Sequence, residues 1–320
     1  MPSKNRPSGM QSSIGYQVYS MLNQPFFADK MMTRTYADTI AGAITSQDIV
    51  PTELKNCGNQ VIFRRKPEGE IFDYIKNQNL SYSELSTDTI TMVVKRAKYW
   101  NLKLDELDIS ETCGIKKWVQ WFLDDCAEKL RQKIDQEILN YIPRKADAFN
   151  KGLRAGKLSG AYNLGGFGAP VTITAENLIE HLTNLSAVLN EQMVPRQGRF
   201  IVLPPAAETL FYRNQLLNNA AASGLSKAVV LTQNVPEIMG FKVYFTPNMP
   251  MMFDPVAKKN TYMIVAGLKT ATGFVTKLTK QKHIDSTETS FAEYWRGLQI
   301  YDFEVLQREQ LAVLYASVSL

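Results

Sequence analysis

The sequence predicts an α+β protein with an extended N-terminal portion, one long spine helix and a lobe of short strands. Three observations carry this. Ile115–Ile142 is the strongest amphipathic helix pattern in the chain. Residues 1–56 lack periodicity, and the strand-like segments that follow surround a long connection. From residue 220 the chain turns to short apolar segments bounded by Gly and Pro.

The composition agrees with a folded protein. The 320 residues carry 36 Lys and Arg against 31 Asp and Glu, a net charge of +5, with 45% apolar residues. That balance excludes disordered, collagen-like and coiled-coil classes. Its mild positive sign permits nucleic acid as a neighbour without requiring it. Cys57, Cys113 and Cys126 are widely spaced, with no Cys-x-x-Cys pair. This argues against a disulfide framework or a structural zinc site and predicts three reduced thiols. The N-terminus has positive charge but no apolar stretch behind it, so it does not read as a secretory signal. The longest apolar run, Leu311–Ala316, is six residues, whereas a membrane helix needs about 20. No membrane association is expected.

Taken in order, residues 1–56 read as an extended arm with at most one short helix, near Tyr36–Ile44. Within its first 35 residues Lys4, Arg6, Lys30 and Arg34 stand against Asp29, a net of +3. Asn59–Arg65 is a strand, and Thr89–Leu104 is its long return, alternating Trp100, Leu102 and Leu104 with Asn101, Lys103 and Asp105. The 23 residues Lys66–Asp88 between them form a long loop, of a length more often functional than idle. A two-stranded ribbon is marginal alone, so it leans on its own domain or on another subunit.

The spine helix places Ile115, Trp118, Phe122, Cys126, Leu130, Ile134 and Ile138 at spacings of three or four, and Pro143 is expected to end it. Arg144, Lys145, Lys151, Arg154 and Lys157 against Asp147 then give a local net of +4. Gly160–Pro170 reads as a flexible loop. A helix capped at Thr174 buries Leu178, Leu182, Leu185 and Leu189. The buried-type strand Phe200–Leu203 precedes a helix opened by Pro204-Pro205, with Leu210, Phe211 and Leu217 inward. Strands follow at Ala228–Leu231, Gly240–Phe245, Tyr262–Ala266 and Phe274–Leu278, and two final strands lie within Phe291–Ser317.

Catalytic readings find little support. Gly165-Gly-Phe-Gly168 lacks phosphate-cradle spacing, Gly267–Gly273 is not followed by Lys-Ser or Lys-Thr, and no Gly-x-Ser-x-Gly elbow exists. His181 and His283 have no metal-ligand spacing around them, and Asp124, Asp125 and Glu128 read as a solvated helix face. No catalytic residue, cofactor or metal is expected. Met249-Pro-Met-Met-Phe253 is either core packing or a protein contact.

Several pieces occur together in the order found in the major capsid proteins of tailed bacteriophages. They are Val194-Pro195 with Gly198-Arg199-Phe-Ile-Val-Leu-Pro204, then Gly240-Phe241-Lys-Val243-Tyr244 continuing to Asn248-Met-Pro250. Asp135 and Ile138 within Leu130–Leu139 of the spine helix, and the returning strands in Tyr301–Ser317, are also similar. The chain resembles that family from about Gly58 to its end. The resemblance implies the HK97-like fold: N-terminal arm 1–57, extended loop (β-ribbon) 58–110, peripheral domain 111–222 with 291–320, and axial domain 223–290.

It further implies self-assembly as pentamers and hexamers into an icosahedral shell around double-stranded DNA, located in the virion and made in the host cytoplasm. A separate scaffolding protein and a portal are the expected partners. Candidate DNA-facing residues are Lys4, Arg6, Lys151, Arg154 and Lys157. Candidate inter-subunit residues are Arg64, Arg65, Glu68, Glu70, Tyr74, Met249, Met251, Met252 and Phe253. The alternatives are the shell of an encapsulin-type nanocompartment and, in another class, a soluble α+β enzyme.

Overall fold

The structure is a computed structural model that describes residues 39–46, 60–64, 69, 71–74, 76, 78–79, 82, 89–111, 115–214, 237–285 and 290–319. Among these the chain is α+β, with three sheets and a spine helix. Helix α1 (Ala41–Ile44) lies within the span expected for the arm helix. Strands β1 (Gln60–Arg64) and β2 (Thr89–Val93) pair antiparallel as an isolated ribbon. Strand β3 (Arg96–Asp105) then leads through α2 (Glu106–Glu111) to the spine helix α3 (Ile115–Lys145).

The long return strand is therefore two strands. Val94 turns inward with Val61, Met92 and Val275 in a small cluster. The N–H of Lys95 is taken by the Asp302 carboxylate at 2.9 Å. These two diversions end the ladder with β1 and start a new one, in which β3 pairs with β10 (Ala292–Val305) and β10 pairs with β9 (Thr272–Ile284). The alternation read along β3 holds: Trp100, Leu102 and Leu104 are half-buried and their neighbours exposed.

The third sheet has the order β4 (Val171–Ile173), β11 (Leu311–Val318), β8 (Lys259–Leu268), β5 (Arg199–Leu203), β6 (Phe241–Phe245), with β7 (Met251–Asp254) beside the first half of β8. Consecutive residues Phe200–Leu203, Met263–Ala266 and Leu311–Leu314 are all buried. Both faces of the sheet are thus covered, as continuous apolar strands require. Helices α3, α4 (Leu178–Glu191) and α5 (Pro205–Arg213) supply the covering apolar side chains Ile138, Leu139, Ile142, Leu182, Leu185, Leu189, Leu210 and Phe211. This sheet joins β5, β8 and β11, so strand pairing crosses the divisions expected at residues 222/223 and 290/291.

Three local expectations are corrected. Pro143 does not end α3, which runs to Lys145. The proline lacks an N–H to donate and crowds the carbonyl one turn back, yet three residues on, the Ala146 N–H still donates to Ile142 O at 3.2 Å. Regular helix α4 begins at Leu178 rather than Thr174. Thr174 nevertheless organises the entry, donating its N–H to Asn177 Oδ1 at 2.7 Å while its carbonyl accepts from Leu178 N–H at 3.1 Å. The Gly160–Pro170 loop is pinned, not free. Leu164 O accepts the Tyr315 N–H at 2.9 Å. Gly165, at φ +69°, sits where a Cβ would be 2.3 Å from Tyr315 O, so only glycine fits there. The expected strand at 228–231 and the position of Leu217 lie outside the described residues.

Candidate assembly surfaces

The ribbon has one apolar side and one open side. Val61 and Met92 are buried, and Phe63 and Ile300 pack beside them and Val275. Ile62 and Arg64 point outward and are exposed. Beyond the ribbon, Ile71 is 98% exposed, Tyr82 90% and Tyr74 71%. These three make the segment a candidate contact surface. Arg65, Glu68 and Glu70 lie outside the described residues.

A polar junction fixes where the ribbon leaves the body. Arg96 donates to Asp302, and its guanidinium carbon lies 4.0 Å from the centre of the Phe303 ring. Lys98 Nζ is 2.8 Å from Glu137 of α3, and the Tyr301 hydroxyl donates to the same carboxylate at 3.0 Å. The Tyr141 hydroxyl donates to Glu304 at 2.7 Å. Burial opposes the Glu137 charge, but Lys98, Tyr301 and Arg96 outweigh it and hold the carboxyl below its usual range. Burial and the carboxylate partners push both phenols up, so they remain donors.

The arm is anchored by one buried carboxylate. Asp135 on α3 accepts the N–H groups of Ile40 at 2.9 Å and Ala41 at 3.0 Å, satisfying the open start of α1. Burial raises the Asp135 pKa despite those bonds. Ser46 then bridges to the start of β9, its N–H donating to Thr272 O at 2.9 Å. Lys4 and Arg6 lie outside the described residues.

The Met-rich segment splits. Met249 is buried in the core of its own subunit, Met252 is half-buried against it, and Met251 and Phe253 are exposed on β7. Core packing and a displayed edge are thus both present in five residues. In the basic loop, Arg154 and Lys157 are exposed, while Lys151 is half-buried and donates to Arg144 O at 3.3 Å. Leu153 and Leu158 are exposed beside them.

Arg199 was legible as part of a motif but not in its role. It is completely buried and donates to Pro195 O at 2.9 Å, Asn190 Oδ1 at 2.8 Å, Val194 O at 2.6 Å and Ser186 Oγ at 3.1 Å. No carboxylate is among these partners. The cation ties the end of α4 to β5 through carbonyl dipoles and side-chain oxygens.

The histidines and thiol are quiet. His283 lies on β9, stacks on Trp295 at 3.9 Å and sits between Asp285 and Glu293. Burial lowers the His181 pKa. Burial and Asp125 push the Cys126 thiol up, which disfavours the reactive thiolate. Cys57 and Cys113 lie outside the described residues. Asp125 and Glu128 pair with Lys129 and Arg131 on the helix surface. Among the described residues no group of three His, Cys, Asp or Glu is placed to hold a metal, and no helix is long and apolar enough to cross a membrane.

No protein-family model and no curated protein matches the sequence. Solved structures do. The capsid structure of cyanophage P-SCSP1u aligns with a TM-score of 0.69 at 14% identity, covering 93% of this chain and 94% of that one. The mature capsid of bacteriophage PhiM1 aligns at 0.67 and 14%, covering 92% and 91%. A chain from Mycobacterium phage Che8 aligns at 0.68 and 15%, covering 91% and 96%. The chain has the HK97-like fold of phage capsids. At these identities the likeness establishes the fold, and it extends over nearly the full length of both partners.

Proposed function

We propose that this chain is the major capsid protein of a tailed phage, assembling as pentamers and hexamers into an icosahedral shell around double-stranded DNA. The fold likeness across more than nine-tenths of the chain supports this reading. The single observation that carries the assembly part is the ribbon. The segment between its strands carries exposed Ile71, Tyr74 and Tyr82, and its base is tied to the body by the Arg96–Asp302 junction. Burying that surface against a neighbour contributes about 25 cal/mol per Å² before the entropic cost of association. Ring contacts of this kind are heterologous, so subunit geometry sets closure.

In this reading α3 and the β3–β10–β9 sheet form the peripheral part. The six-stranded sheet forms the axial part, and residues 1–57 form the arm. Arg64, Tyr74, Met251 and Phe253 contact neighbouring subunits, and Arg154 and Lys157 with Lys151 face the DNA. A separate scaffolding protein and a portal complete the particle.

Negative-stain microscopy of the expressed chain, with and without a scaffold, tests the reading. Shells or polyheads are expected, and uniform small monomers would overturn it. Protein-filled particles without a portal would instead identify a nanocompartment. Unchanged packaging after Lys151→Gln, Arg154→Gln and Lys157→Gln would remove the DNA-facing role of that loop.

A further inference from the structure

We propose that the face of the β3–β10–β9 sheet turned away from Trp100 and Trp295 binds the phosphate backbone of double-stranded nucleic acid. This deepens the DNA-enclosing part of the function proposed above and rests on it. Strand register builds the face in rows. Lys282, Arg296 and Asn101 stand side by side, then Lys280, Leu298 and Tyr99, then Ile284, Tyr294 and Lys103.

Lys103, Lys280, Lys282 and Arg296 are all exposed. Among the described residues none of the four has an ion pair. The acid of the described face is Asp105, opposite Ala292 at the rim. The other face is the reverse case, with Lys98 held by Glu137 and His283 set between Asp285 and Glu293.

Lys282 and Arg296 are directly opposite on strands about 4.8 Å apart, a like-charge pairing that destabilises a sheet. No described residue forms an ion pair with either cation, and an anionic partner would relieve the repulsion. A protein partner fits the face poorly, because the centres of protein interfaces are depleted in lysine and, among the described side chains of this face, Leu298 is the one exposed leucine amid the cations. Duplex DNA carries one charge per about 1.7 Å of axis and needs no apolar socket. Tyr99, 76% exposed, adds a hydroxyl donor for phosphate or sugar oxygen.

The test is fluorescence anisotropy of a labelled duplex with the purified full chain between 50 and 200 mM salt. The variant carries Lys103→Gln, Lys280→Gln, Lys282→Gln and Arg296→Gln. Its affinity at 50 mM salt should fall at least ~10-fold, and its slope of log K against log salt should decrease by about 3–4, near 0.9 per lost phosphate contact. Its melting temperature should be equal or higher, because the repulsion is gone. Lys282→Gln alone should lower the slope by about 1 and guards against misfolding of the quadruple variant.

Unchanged affinity and slope would overturn the proposal. So would equal binding of polyglutamate of matched charge. Shell formation, read by microscopy in parallel, tests the assembly reading independently of duplex affinity.

Discussion

At the scale of single residues, two buried charges do work that their neighbours cannot replace. Arg199 supplies donors to Pro195, Asn190, Val194 and Ser186 from a completely buried position. Arg199→Met removes them all and leaves buried carbonyls unpaired. Urea unfolding of the unassembled subunit should show a loss of about 3–5 kcal/mol. Lysine cannot reproduce the fork, so Arg199→Lys should restore only part of it. Asp135→Ala orphans the first N–H groups of α1 and should cost about 2–4 kcal/mol. Glu137 gives a pH dependence of definite sign. Its carboxyl is held below its usual range, so its contribution is present above the ordinary glutamate pKa and lost as pH falls through the lowered value. Thermal melts from pH 5 down to 3 should show a smaller decline for Glu137→Gln than for the native chain. An identical decline would show that Glu137 does not couple to folding.

At the scale of elements, what the sequence revealed depended on whether the cause was local. The spacing of Ile134 and Ile138, or of Leu182, Leu185 and Leu189, is a property of consecutive turns, and those residues are buried as read. The break at Val94-Lys95 was invisible because its cause, Asp302, is 207 residues away from Lys95. The same limit hid Asp135, whose partner Ile40 is 95 residues distant, although the residue itself stood in a recognised motif. Met249-Pro-Met-Met-Phe253 stayed ambiguous for a related reason: one end packs inward and the other lies on an exposed strand. In the three-stranded sheet, Gly297 sits opposite Trp100, and a Cβ there would be 2.3 Å from the indole Cε2. The ring covers the glycine, so the pair acts as one packing unit. Gly297→Ala should destabilise the sheet by about 1–3 kcal/mol through overpacking, and Trp100→Leu in the same chain should recover much of that loss. Additive losses in the double variant would show that the two sites pack independently.

At the scale of the whole molecule, the junction of Arg96, Asp302, Glu137 and Tyr301 joins three parts that must keep a fixed relation for a shell to close. It sits where the ribbon ends, on the strand β10 that enters the main core, and against the spine helix. Tyr301 and Phe303 of the junction belong to the main core, but most of that core lies apart from it, as with Ile264 and Val313, fully buried in the six-stranded sheet. Breaking the junction should therefore change the direction of the ribbon more than the stability of the subunit. Asp302→Asn keeps the shape but weakens the bonds to Arg96 and the Lys95 N–H. Arg96→Met removes the cation over Phe303 while retaining a side chain of similar length. Both variants should keep the native circular dichroism spectrum with a modest fall in melting temperature, yet form polyheads or open sheets instead of closed shells. Heterologous contacts amplify a small angular error at each step, because closure depends on the rotation between successive subunits. Closed shells of normal size from both variants would show that ribbon direction is set by the neighbouring subunit rather than by this junction.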